Sequence, residues 1–70
     1  MTPLDFIQNN VKEWRKTFKA EFNCYEDDIN GFVLEIDPSI LSPSWISIER
    51  NFLIIAGRLF PDKNFVTMLK

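Results

Sequence analysis

The first third of the chain carries apolar residues at the three- and four-residue spacing of a helix with one buried face. This stripe comprises Leu4, Ile7, Val11, Trp14, Phe18, Phe22 and Tyr25. Thr2 is a typical N-cap, Pro3 suits the first helical position, and Asp5 can accept from the free N–H groups of the first turn. The pattern therefore predicts an amphipathic helix from about residue 3 to about residue 23.

A period of two replaces the helical spacing after residue 31. Phe32, Leu34 and Ile36 alternate with residues that include two carboxylates, as expected of a strand with one buried face. Pro38 ends this predicted strand, and the surrounding Pro- and Ser-rich stretch predicts a loop or a short helical turn.

Residues 45–60 fit two different elements. The alternating stretch WISIE, followed by FLIIAGRLF, predicts the two strands of a β-hairpin. The alternative is a second helix over residues 43–60, with Ser42 as its cap and Pro43 at its first position. We favour strands, because β-branched residues are concentrated here and Gly57 would cost about 1 kcal/mol in a helix interior.

The last ten residues predict either a short helix beginning near Pro61 or a final edge strand around Phe65 to Leu69. Together the elements predict an α+β fold in a single small globular domain, residues 1–70. One long N-terminal amphipathic helix would pack on a small antiparallel sheet of about three strands. In the alternative the fold is mostly helical, with residues 43–60 forming a second helix.

The composition is that of a folded chain with a large core for its length. Of 70 residues, 46% are hydrophobic and 14% aromatic, so burial of large side chains can offset the ordering entropy. The single cysteine, Cys24, excludes an intramolecular disulfide and favours a reducing compartment. No secretory signal is visible, and the longest apolar run, residues 52–57, is too short to span a bilayer. We therefore expect a soluble cytoplasmic protein.

The residue types argue against catalysis. The chain has no histidine, which is the commonest general base near neutral pH and the commonest transition-metal ligand. Cys24 therefore has no imidazole to activate it, and one thiol alone cannot build a zinc site. We expect a protein that is not an enzyme, with no cofactor and no catalytic or metal-binding residues.

The acidic stretch 26–37 has most of the spacing of a calcium-binding EF-hand loop. Oxygen-bearing side chains stand at loop positions 1, 3 and 5, a glycine at 6 and a carboxylate at 12. Glu26 takes the first position and the shorter Asp37 the last, which inverts the usual arrangement. We interpret the stretch as a turn in which Asn30 and Gly31 supply the positive φ that leads into the strand.

The predicted fold leaves one sheet face without a helix. That face would carry Val33, Trp45, Leu53, Ile55 and Leu59, an apolar area too large to stay exposed. We predict that Trp45 and Val33 dock a protein partner or a second copy of the chain. The protein would then be a non-catalytic interaction or regulatory module.

Four cations share the exposed side of the predicted first helix: Lys12, Arg15, Lys16 and Lys19. They predict a secondary electrostatic contact or, in the alternative, a nucleic-acid-associated accessory protein. Residues 1–25 carry four Lys/Arg against three Asp/Glu, whereas residues 26–70 carry four against seven. The overall charge of −2 argues against nucleic-acid binding by the whole surface. We expect no membrane contact and no small-molecule substrate.

Overall fold

The structure, a computed structural model, describes residues 1–70 and confirms the α+β class. Its elements are helix α1 (Pro3–Phe18), strand β1 (Phe22–Asp27), strand β2 (Gly31–Ile36), a short 3-10 helix (Pro38–Ile40), helix α2 (Pro43–Leu59) and strand β3 (Phe65–Leu69). Both helices cover the same face of a three-stranded sheet, whose core residues contact one another in a single cluster.

Helix α1 begins where the sequence predicts and ends five residues earlier than predicted. The Thr2 hydroxyl accepts from the Asp5 N–H, and the Asp5 carboxylate accepts from the Thr2 N–H, which completes a capping box. Lys19 adopts a left-handed conformation with φ of 51° and donates its N–H to the Arg15 carbonyl, so the helix stops at Phe18. The predicted continuation to residue 23 is wrong, because Phe22 enters the core from strand β1 instead.

Strands β1 and β2 form an antiparallel hairpin around a tight turn. The register runs from Phe22 opposite Ile36 to Asp27 opposite Gly31. In the turn, the Asp27 carboxylate accepts from the N–H groups of Ile29 and Asn30 and from the Asn30 side-chain amide. Gly31 has a φ of 81° and leads into β2 as predicted, whereas Asn30 has no positive φ and the turn joins two strands rather than a helix to a strand.

Residues 43–59 form helix α2, so the predicted hairpin across residues 45–60 is wrong and the helical alternative is correct. The Ser42 hydroxyl accepts from the Trp45 N–H, and Pro43 occupies the first turn. Trp45, Phe52 and Ala56 then bury one stripe of the helix. Tertiary burial of this stripe outweighs the modest propensity cost of Gly57 and the isoleucines, since packing supplies most helical stability in proteins.

Of the two alternatives for the last ten residues, the edge strand at residues 65–69 is confirmed and the short helix near Pro61 is wrong. This strand, β3, pairs parallel to β2. The register runs from Phe32 opposite Phe65 to Ile36 opposite Leu69. Helix α2 connects β2 to β3. It returns the chain to the end of the sheet at which β2 begins, as parallel pairing of the two strands requires. The sheet, in the order β1-β2-β3, is therefore mixed, and the prediction of an entirely antiparallel sheet is corrected.

Aromatic rings fill the space between the helices and the sheet. Trp14 meets Trp45 edge to face at 5.3 Å and Phe52 at 5.1 Å, and Phe6 stacks on Phe52 at 5.4 Å between centroids. These separations and angles are those of favourable aromatic pairs. The Trp45 indole N–H is buried without a hydrogen-bond partner, so this residue stabilises the core through its ring contacts.

Neither helix combines the length and apolarity needed to cross a bilayer.

Candidate docking site

Two of the predicted docking residues lie inside the protein. Trp45 and Val33 are both 0% exposed, so neither forms part of a surface, and the predicted docking face around Trp45 is corrected. Trp45 is buried because it occupies the first turn of α2 and points at the sheet, rather than outward from a strand. Val33 is buried because it lies on the central strand, opposite Tyr25 of β1 and Val66 of β3.

The uncovered sheet face exists, but it is less apolar than predicted. It carries Asn23 and Tyr25 from β1, Val33 and Glu35 from β2, and Val66 and Met68 from β3. Tyr25 and Met68 are only 36% and 40% exposed, and Val33 contributes nothing. Leu53, Ile55 and Leu59 lie on helix α2 and not on this face.

The four predicted cations of α1 separate into two groups. Lys12 and Arg15 line a cleft beside strand β1. Lys16 instead lies 3.8 Å from Glu13, with both side chains largely exposed, and Lys19 forms the C-cap of the helix. Only Lys12 and Arg15 therefore belong to a concave site.

The cleft between α1 and β1 has a volume of about 300 Å³. Helix α1 supplies one wall and the start of β1 supplies the other. Its lining residues are Gln8, Val11, Lys12, Arg15, Phe22, Asn23 and Cys24. Cations and amide side chains dominate this lining, whereas no carboxylate takes part in it, so the cleft suits an anionic group.

Arg15, one of the lining residues of this cleft, is held by a hydrogen bond to the backbone. Its Nη2 donates to the Phe22 carbonyl at 2.7 Å, which ties the end of α1 to the start of β1. A guanidinium group has five N–H donors in a rigid fork. One contact to the backbone therefore fixes its orientation and leaves other donors for a ligand.

The unpaired backbone edge of β1 borders the same cleft. The Phe32 N–H donates to the Asn64 carbonyl and the Lys70 N–H to the Ile36 carbonyl, so the even-numbered residues of β2 direct their amide groups toward β3. Successive residues of a strand direct these groups to opposite sides. The odd-numbered residues of β2 therefore pair with β1, and the register leaves the amide groups of Phe22, Cys24 and Glu26 at the free edge.

The opposite end of the β1 edge is acidic. Glu26 and Asp28 are exposed. The Asp27 carboxylate already accepts hydrogen bonds within the turn. These bonds lower the pKa of the Asp27 carboxyl, and the bond from the Asn30 N–H has the largest effect. The edge of β1 thus runs from a basic end at Arg15 to an acidic end at Glu26.

The stretch 26–37, which has most of the spacing of a calcium-binding loop, lies in the β1–β2 hairpin and at its end. Glu26 lies opposite Phe32, whereas Asp37 follows the far end of β2. Asp37 instead caps the 3-10 helix by accepting from the Ser39 N–H at 2.9 Å, and this bond lowers its pKa. No group of three or more His, Cys, Asp or Glu side chains is placed to hold a metal ion.

Lys12 and Arg15 are among the residues that the sequence predicts for a docking contact, whereas the residues on the other side of the cleft are not. The predicted helix, which extends to about residue 23, includes Phe22 and Asn23, and residues in a helix would not form a strand edge. The left-handed Lys19, which makes this edge, has no strong sequence marker because glycine is the usual residue there.

No protein-family model, no curated protein and no solved structure matches this chain.

Proposed function

We propose that the protein is a non-catalytic interaction module that binds an extended acidic segment of a protein in the α1–β1 cleft. The observation that carries the proposal is the position of Lys12 and Arg15 beside a strand edge with unpaired backbone groups. A reducing, cytoplasmic setting is part of the proposal, because Cys24 has no second cysteine with which to pair.

An extended segment fits this edge by adding a strand to the sheet. Main-chain hydrogen bonds to Cys24 and Glu26 would provide affinity, as in other proteins that bind peptides by β-augmentation. Carboxylates on the helix-facing side of the bound segment would meet Lys12 and the free donors of Arg15. Because the Arg15 guanidinium is already held by its hydrogen bond to the backbone, it loses little further side-chain entropy on binding, which favours association.

The cleft supports docking better than the uncovered sheet face does. The buried Val33 and the partly covered Tyr25 leave that face little apolar area to lose on binding. The cleft instead combines concavity, cations and unpaired backbone groups in one place.

A nucleic-acid partner is the weaker alternative. Lys12 and Arg15 would attract phosphate, but the aromatic residues beside them, Trp14 and Phe22, are buried in the core. Single-stranded nucleic acid is usually held by exposed aromatic side chains on which bases stack.

The test is a binding assay with a short fluorescent peptide of alternating valine and glutamate. Fluorescence anisotropy should show saturable binding that Lys12→Glu weakens by about tenfold or more, since the change places a carboxylate beside the bound carboxylates. Lys16→Glu is the matched control, because Lys16 lies on the same helix but outside the cleft.

Two further ligands complete the assay. The same peptide with lysine in place of glutamate should not bind. A single-stranded oligonucleotide that bound more tightly than the acidic peptide would contradict the proposal and favour the nucleic-acid alternative.

A further inference from the structure

We infer that the acidic segment bound by the cleft is strand β1 of a second copy of this chain, paired antiparallel across a two-fold axis at Tyr25. The inference rests on the proposed function and identifies the partner of that same cleft. A two-fold interface uses one surface patch twice, so the patch must complement itself. The β1 edge satisfies this requirement.

Charge complementarity is the main argument. The edge is basic where Lys12 and Arg15 stand beside Phe22 and Cys24, and acidic where Glu26 ends the same row of residues. When two such edges lie antiparallel, the acidic end of each copy meets the basic end of the other. Parallel pairing would instead bring like charges together.

The hydrogen bonds already made by β1 select the register. The Phe22 carbonyl is occupied by Arg15, so only Cys24 and Glu26 have both their N–H and carbonyl groups unpaired at the free edge. Pairing Cys24 of each copy with Glu26 of the other satisfies these groups reciprocally and places the two Tyr25 residues directly opposite each other.

This register also brings the charged side chains together. Cys24 lies on the cleft side of β1, and Glu26 shares that side because it is two residues away. The Glu26 carboxylate of one copy would therefore enter the other copy's cleft, between Lys12 and Arg15. Tyr25, which is partly exposed in the single chain, would be covered on the opposite face.

Other surfaces of the molecule carry weaker arguments. Strand β3 has an unpaired edge with no charged residue between Phe65 and Leu69, so nothing there selects a partner or a register. The half-exposed aliphatics of α2, such as Ile46 and Ile54, are separated by Arg50 and other polar residues.

A dimer through β1 buries a small surface, so we expect it to be weak, with micromolar dissociation.

Charge reversal tests the inference by sedimentation velocity across the micromolar concentration range. Lys12→Glu and Glu26→Lys should each weaken self-association about tenfold or more, because the first adds a carboxylate beside each incoming Glu26 and the second brings a further cation into each cleft. An equimolar mixture of these two variants should associate again, since one contact is then the original one and in the other the two reversed charges face each other. Lys16→Glu should associate like the unmodified chain, and circular dichroism establishes that all variants are folded.

A disulfide trap tests the register independently. In a Cys24→Ser background, Tyr25→Cys should form a covalent dimer on mild oxidation, since directly opposed residues of this kind lie about 4.5 Å apart between Cα atoms. Val66→Cys in the same background reports on pairing through β3, and it should stay monomeric.

The outcomes separate the dimer from the broader function. A chain that stays monomeric at all concentrations, or a dimer that is trapped through Val66 and is insensitive to Lys12→Glu, overturns the dimer inference. If the monomeric chain still binds the valine and glutamate peptide, the proposed function stands without it. If neither association is seen, both are overturned.

Discussion

The carbonyl oxygen of Asn64 lies 2.6 Å from the position that a Cβ atom on Gly31 would occupy. The same carbonyl accepts from the Phe32 N–H at 2.9 Å, and the Asn64 side-chain amide donates to the Asn30 carbonyl at 2.9 Å. Asn64 therefore joins the β1–β2 turn to the segment that leads into β3. This close approach of two backbones requires a residue without a side chain at position 31.

Gly31→Ala should be strongly destabilising. Its φ of 81° is unfavourable for a residue with a Cβ atom, and the new methyl group would collide with the Asn64 backbone. We expect a loss of about 2 kcal/mol or more, the sum of the backbone cost and the displacement of Asn64. Urea denaturation measures the change, and an unchanged midpoint would contradict this arrangement.

Gly57→Ala should have the opposite sign. Gly57 lies on the exposed side of α2, and a Cβ atom there would have no heavy atom within 4 Å. We expect a gain of about 0.5–1 kcal/mol, because alanine has the higher helix propensity and the lower unfolded-state entropy. The same denaturation experiment measures it. A destabilised variant would argue that residues 43–59 are not helical, so this substitution tests the element that the sequence left ambiguous.

Trp45→Ala should leave the chain largely unfolded. Its ring contacts Trp14, Phe18 and Phe22, and it is completely buried. Truncation of a buried tryptophan costs about 3–5 kcal/mol, a large part of the stability of a domain this small. Ile46→Ala is the control, because Ile46 is the next residue along the helix and its side chain is half exposed. A folded Trp45→Ala variant of ordinary stability would restore the idea of an exposed tryptophan anchor.

Acid should weaken the hairpin through Asp27. Hydrogen bonds from Asn30 and Ile29 favour its charged form and lower its pKa in the folded chain from an ordinary value of 3.8. A carboxyl with a lowered folded pKa contributes stability that is complete above its unfolded pKa and is lost as the pH falls through the folded pKa. Asp37, whose pKa is lowered by Ser39, acts in the same direction.

Asp27→Asn should therefore be less stable at neutral pH and show a smaller loss of stability below pH 3.8. Urea denaturation at a series of pH values measures this difference. Asp28→Asn is the control, because the Asp28 side chain takes no part in the turn's hydrogen bonds. Parallel pH profiles for the unmodified chain and Asp27→Asn would show that the turn does not hold a charged carboxylate.

Features that depend on neighbours along the chain can be predicted without any knowledge of the fold. The capping box of Thr2 and Asp5 and the positive φ of Gly31 follow from local chemistry, and so does the alternation of β2. The α+β class followed from these elements, because an amphipathic helix and a strand with one apolar face must bury those faces together.

Features that depend on distant contacts are fixed when the helices pack on the sheet. The isoleucine-rich stretch after Trp45 fits a strand or a helix locally, and the helix forms because Trp45, Phe52 and Ala56 find a common core beside α1. The left-handed Lys19 turns Phe22 from a helix residue into the first residue of an edge strand. That change brings Cys24 and Lys12 into the lining of one cleft, which no spacing in the sequence could reveal. Long-range burial selects between local conformations of similar free energy, and it therefore fixed both the second helix and the candidate docking site.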